Sequence, residues 1–179
     1  VLGPHGGELP GCKSTCFLVD GRLALDAGAL TSTLPLDELV KVDDILLTHS
    51  HFDHVKDLPM LADVLVGRRD APVMVHSNTE CIDTLKKNLF NNVLWPDFTR
   101  LPSPQKPILV FHPLAIHDQL TLGGKLIEVL PAAHTVPAVG FAASASSGWW
   151  IYTGDTGPNP ELWRSVNGRH IAALVIETA

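Results

Sequence analysis

The chain predicts an α/β domain with helices packed outside its sheets. Short runs of Val, Ile and Leu alternate with segments whose apolar residues recur at helical spacing, the βαβα order of an α/β protein. Over 179 residues, 45% are hydrophobic and 18% charged, which suits one domain, spanning 1–179, with a sizeable core rather than a disordered chain.

Val1-Leu2-Gly3 reads as the end of a strand, followed by the turn-rich stretch Gly3 to Gly11. Cys16 to Val19 and Leu23 to Leu25 read as strands joined by Asp20-Gly21, a type I′ turn pair. Asp26-Ala27-Gly28 closes the second strand. Leu34 to Val40 is expected to be a short helix and Ile45 to Thr48 a buried strand. Val55, Leu58, Leu61, Ala62 and Leu65 mark a helix over 55–66. A strand at Val73 to Val75 precedes Asn78, a helix cap, and a helix to about Leu89.

Phe90 to Thr99 brings aromatic rings and two adjacent amides together. Asn92 and Trp95 there suit either a packed helix end or a face that stacks on a nucleobase. Strands at Ile108 to Phe111, Leu120 to Leu122 and Leu126 to Leu130 are expected to begin a second sheet, which Ala138 to Ala145 and Trp149 to Thr153 continue. A helix at Pro160 to Val166 and a strand at Ala172 to Ile176 complete the order.

A net charge of −6 with 13 Lys and Arg argues against a surface that holds a long nucleic acid. No apolar run reaches membrane-spanning length, and no signal peptide is visible. Cys12, Cys16 and Cys81 are too few for a disulfide framework, so reduced thiols in a cytoplasmic protein are expected. His76, His112, His117 and His170 are read as structural or surface residues.

Thr48-His49-Ser50-His51-Phe52-Asp53-His54 concentrates three imidazoles and a carboxylate directly after a buried strand. These are the ligands that zinc and similar divalent metals favour. Residues two apart on an extended segment point the same way, so His49 and His51 can grip one ion, while Asp53 and His54 reach a second.

His-x-His-x-Asp-His in this position resembles the signature of metallo-β-lactamase-fold hydrolases. The likeness extends to His134 in Pro131-Ala132-Ala133-His134-Thr135 and to Asp155 in Gly154-Asp155-Thr156-Gly157. It implies a four-layer αββα sandwich holding one or two metals between two sheets. His49, His51 and His134 would hold the first metal, and Asp53, His54 and Asp155 the second, with Asp155 bridging. The ions would be zinc, or manganese or iron. A hydroxide between them would be the nucleophile, oriented by Asp53. Asp26 would orient the ligands from behind, though a plain turn aspartate is the other reading. Asp155 argues against a zinc β-lactamase that carries cysteine at that place.

The stretches Thr48 to Leu58, Leu65-Val66-Gly67-Arg68, Phe90 to Phe98 and Ile176-Glu177-Thr178 narrow the likeness to class II cyclic-nucleotide phosphodiesterases. These hydrolyse 3′,5′-cyclic nucleotides to 5′-monophosphates. In that branch a glycine-rich loop borders the site, so His5 either lines the pocket or is an ordinary loop histidine. The chain begins at Val1 without an initiator methionine, so a few N-terminal residues are expected beyond it, and the likeness implies a C-terminal end with the last metal histidine beyond this segment. A homodimer is compatible with it. The competing readings are a tRNA-processing endonuclease, a glyoxalase-type thioesterase, and a poorly active metal-binding domain.

Overall fold

The computed structural model describes residues 1–176; Glu177, Thr178 and Ala179, two of which carry part of the resemblance, lie outside the described residues. Two five-stranded sheets face each other. The first runs β1 (Phe17–Val19), β2 (Leu23–Leu25), β3 (Asp44–Leu46), β4 (Val73–Ser77) and β7 (Leu109–Pro113). The second runs β12 (Ile171–Val175), β11 (Gly148–Tyr152), β10 (Val139–Ala145), β9 (Lys125–Pro131) and β8 (Gln119–Leu122). A two-stranded ribbon, β5 (Pro102–Ser103) with β6 (Lys106–Pro107), stands apart.

Alternation along the strands separates three apolar layers. Ala24, Ile45, Leu47, Val73 and Val75 face the helices α3 (Leu58–Leu65) and α4 (Thr79–Asn88). Leu23, Leu46, Ile127, Val129, Phe141 and Tyr152 fill the space between the sheets. Leu130, Ala142 and Ile151 face Val166 of α5 (Pro160–Val166). Neighbours in sequence, such as Ile45 and Leu46, thus enter different cores, because successive side chains leave opposite faces of a strand. The result is the αββα sandwich.

The first hairpin turns at Asp20 and Gly21, both at positive φ (51° and 69°), with Arg22 N–H donating to the Val19 carbonyl at 3.1 Å. Asn78 caps α4, its side-chain oxygen accepting from Cys81 N–H at 2.7 Å. The helix expected over Leu34 to Val40 shortens to α1 (Leu36–Leu39).

Two expectations need correction. The helix expected over 55–66 is two helices, α2 (Phe52–Val55) and α3. The break arises because the turn at Ala27 takes over backbone groups. Ala27 N–H donates to the His54 carbonyl at 2.7 Å, and Asp57 N–H donates to the Ala27 carbonyl at 2.9 Å. Asp53 and His54 therefore lie on a helical turn, while His51 remains extended (φ −64°, ψ 148°). The second correction concerns β7, which was expected to open the second sheet. It adds parallel to β4 in the first, pairing Val75 with Phe111. A short apolar run reveals burial but not which sheet it joins.

Cys16 and Cys81 are buried, and burial pushes each thiol up to about 12. Cys12 is partly exposed. At pH 8 Cys12 should alkylate within minutes, while Cys16 and Cys81 react only after denaturation, as mass spectrometry of peptides from native and unfolded chain would record.

Candidate metal centre

The cluster lies at one end of the facing sheets. The segment after β3 delivers Thr48, His49 and His51, and α2 delivers Asp53 and His54. His134 stands in the loop after β9, and Asp155 in the loop after β11. Asp26, in the turn after β2, sits beneath them and is fully buried.

Asp26 organises two of the imidazoles. Its Oδ1 accepts from Thr48 N–H at 2.8 Å, and its carboxylate accepts from the Thr48 hydroxyl at 3.0 and 3.1 Å. Its Oδ2 accepts from His54 Nδ1–H at 2.8 Å and from the Tyr152 hydroxyl. An ionised carboxylate only accepts, so the proton of this contact is on His54 Nδ1. Thr48 gives its one hydroxyl proton to Asp26, and its Oγ1 therefore accepts from His49 Nδ1–H at 3.0 Å. Both rings then turn Nε2 towards the cluster centre. Each of those Nε2 atoms is buried and, among the described residues, without a hydrogen-bond partner.

The opposite wall supplies the carboxylate. Asp155 Oδ1 lies 3.2 Å from His54 Nε2, within ion-pair reach but off the direction of a hydrogen bond. Asp155 Oδ2 lies 3.9 Å from His49 Nε2 and 3.8 Å from His134 Nε2. His134 Nε2 and His51 Nδ1 are 3.1 Å apart. Two nitrogens held at tetrahedral angles on one zinc are separated by about 3.3 Å, so that spacing suits a shared ion. One ligand atom from each of His49, His51, His134 and Asp155 falls within 4.8 Å of all the others. Asp53 Oδ2 is 3.5 Å from His54 Nε2. Orphaned buried nitrogens facing a carboxylate are the donor set a divalent cation satisfies, and the residues present fit one.

Charge follows the same geometry. Burial pushes His49 down to about 4, helped by the neighbouring His54. Burial also acts to lower His54, but the Asp26 and Asp155 carboxylates outweigh it and hold the ring up to about 10. Burial acts to raise Asp155, and the facing imidazoles His54, His49 and His134 more than reverse it, so its carboxyl lies below the usual value. The potential that holds a proton on His54 Nε2 equally favours a metal cation there.

Glycines permit this convergence at two places. A Cβ on Gly28 would stand 1.9 Å from the Asp53 carbonyl. Gly154 has φ +57°, and a Cβ there would stand 2.7 Å from Thr48 Cγ2.

Cavities flank the cluster on two sides. One of about 320 Å³ is lined by His5, Gly6, Phe17, Tyr152 and Asp155, so the glycine-rich loop borders Asp155. The other, about 630 Å³, runs from His134 to the start of α4. Asn92 and Trp95 line neither cavity. The Trp95 indole N–H donates to the Pro59 carbonyl at 3.1 Å and its ring packs on the helix-side core, while Asn92 Oδ1 accepts from Asp97 N–H at 3.0 Å. The Trp95 contacts fit the packing reading of Phe90 to Thr99, while the exposed Asn92 keeps its side-chain NH2 without a partner among the described residues. Thr48 and Tyr152 escaped the sequence reading as organising residues. The signal for Tyr152 was that it is the one tyrosine of the chain, two residues before Gly154-Asp155.

Facing sheets with helices on both outer faces and a His/Asp cluster at one end define the metallo-β-lactamase fold. The chain belongs to the beta-lactamase superfamily domain family, whose model matches residues 16–178. Among curated proteins it is 26% identical to a probable 3′,5′-cyclic-nucleotide phosphodiesterase of Yersinia pestis, over 97% of this chain and 54% of that protein. It is 37% identical to a ribonuclease Z of Bradyrhizobium over 52% of this chain and 29% of that one. The chain thus spans about half the length, or less, of these relatives. Unliganded yeast PDE1 superposes with a TM-score of 0.79 over 99% of this chain and 74% of that structure, at 16% identity, a likeness of fold.

Gly154→Ala should destabilise the chain by about 1–3 kcal/mol, since it combines a disfavoured φ with a backbone displaced from Thr48. Denaturant unfolding of the purified variant measures it, with Gly7→Ala, whose added Cβ meets nothing within 4 Å, as the control.

Proposed function

We propose that this chain is a metal-dependent phosphodiesterase that hydrolyses 3′,5′-cyclic nucleotides to 5′-monophosphates, with two divalent ions, most naturally zinc, as cofactors. The observation that carries it is the division of the Asp155 carboxylate. One oxygen faces His54 and the other faces His49 and His134, as a carboxylate shared between two ions would. His49, His51, His134 and Asp155 would hold the first ion, and Asp53, His54 and Asp155 the second. Such ions supply Lewis acidity and activate water near neutral pH.

The chain's own residues do the rest. Asp26 and Thr48 lock His49 and His54 in the tautomer that presents Nε2. Asp53, with its side chain partly exposed beside His54, is placed to take a proton from an attacking water. The sandwich walls, with Thr48, His49 and His54 buried, keep bulk water from the inner half of the site. Relatives named as cyclic-nucleotide phosphodiesterases in Yersinia pestis and Schizosaccharomyces pombe support the substrate. A small diester also suits a chain of net charge −6. The local likeness to ribonuclease Z favours an endonuclease as the second reading.

The test is hydrolysis by the metal-loaded chain of cyclic AMP, cyclic GMP, a precursor tRNA and a glutathione thioester. Turnover of the cyclic nucleotides alone is expected; cleavage of the tRNA alone would replace this reading with the second. Asp155→Asn should reduce hydrolysis at least about a hundredfold while circular dichroism stays unchanged, because an amide bridges cations poorly. Asp26→Asn should weaken metal binding about 10–100-fold without removing a ligand, as titration with a competing chelator would show.

A further inference from the structure

The cavity beyond His134 has no role in the chemistry above. Its walls are the first turn of α4, the loop around Leu114 to Ile116, and the 132–139 segment. About 630 Å³ is within the range of small-molecule sites. Backbone and side-chain hydrogen bonds hold the walls in place. Leu114 N–H donates to the Ser77 carbonyl at 2.8 Å, and Ala115 N–H donates to Asp118 Oδ2 at 2.8 Å. Asn78 Nδ2–H donates to the Pro137 carbonyl at 3.2 Å, and Val139 N–H to the carbonyl of Thr48, the residue before His49. The groove is therefore rigidly registered to the cluster it adjoins.

Its charge is unusual for a phosphate-ester enzyme. Among the described residues, Glu80 is the one titratable lining group apart from His134, and no lysine or arginine lines it. Glu80 is exposed and makes no ion pair or hydrogen bond among the described residues. An acidic side chain in a first helical turn also favours the helix dipole, which would leave it with no bearing on ligands. The groove context argues for more. A polynucleotide laid here would set its phosphates against an unneutralised carboxylate. A cyclic nucleotide has one phosphate, at the cluster, and offers the groove only its 2′-hydroxyl and a base. Leu114 and Ile116 supply an apolar face for a ring, while Thr79 and Glu80 accept from hydroxyl or amino hydrogens.

We infer that the groove from His134 to the start of α4 seats the uncharged nucleoside part of the substrate, and that Glu80 excludes further phosphates from it. This rests on the phosphodiesterase reading. The experiment compares metal-loaded wild type, Ile116→Trp and Glu80→Lys on methyl 4-nitrophenyl phosphate and cyclic AMP, with the dinucleotide ApA, with and without a 5′-phosphate, as competitor. Ile116 is half-exposed, so a larger ring there fills the groove rather than the core. Ile116→Trp should raise KM for cyclic AMP about tenfold and change that for the methyl ester less than about twofold. Glu80→Lys should tighten competitive inhibition of cyclic AMP hydrolysis by phosphorylated relative to unphosphorylated ApA about fivefold. Equal effects of Ile116→Trp on both small substrates, or an unchanged dinucleotide ratio in Glu80→Lys, would overturn the inference while wild-type turnover of cyclic AMP left the phosphodiesterase reading standing. Failure of the wild type to hydrolyse any diester would remove both.

Discussion

The carboxylate of Asp26 is the constraint on which the site depends. It is fully buried, carries a negative charge away from solvent, and must be compensated by donors from several directions. It draws Thr48 from the end of β3, His54 from α2 and Tyr152 from β11 into one set of hydrogen bonds. Burial and Asp26 together push the Tyr152 phenol well above its ordinary range, so it stays a donor at any ordinary pH. The Tyr152 bond thereby joins the two sheets at the end where the cluster sits, beside the backbone bond from Val139 N–H to the Thr48 carbonyl. Asp26 itself adopts φ +57°, a conformation that aspartate tolerates better than most residues.

Local chemistry was legible in the sequence wherever a signal was strong and short in range. The turn pair Asp20-Gly21, the Asn78 cap and the density of imidazoles over His49 to His54 each state their own structure. What the sequence withheld was relational. The split between α2 and α3 comes from Ala27, more than twenty residues upstream, competing for the backbone of His54 and Asp57. The membership of β7 depends on β4, not on the composition of Leu109 to Pro113. The Trp95 indole turns inward to the Pro59 carbonyl, a contact that nothing in its own sequence neighbourhood announces. The organising part of Thr48 is invisible without the fold, since a threonine after a strand is ordinary.

The same geometry explains why glycine stands at Gly28 and Gly154. Both lie one or two residues from an aspartate of the site, and both let backbone or methyl groups approach where any side chain would collide. Close approach of the Asp26 turn beneath Asp53, and of the Asp155 loop against Thr48, sets the depth of the cluster in the sandwich.

The groups that converge come from four separate stretches of chain, from Asp26 to Asp155, and no two adjacent residues could assemble them. Occupancy and folding are therefore thermodynamically linked. A cation that binds the assembled cluster and not the unfolded chain adds about 2.7 kcal/mol of stability at a free concentration a hundred times its dissociation constant. That increment acts on both sheets at once, because the bound segments hang from β2, β3, β9 and β11. Supply of such a cation in the surroundings would then govern how long the whole sandwich survives against proteases.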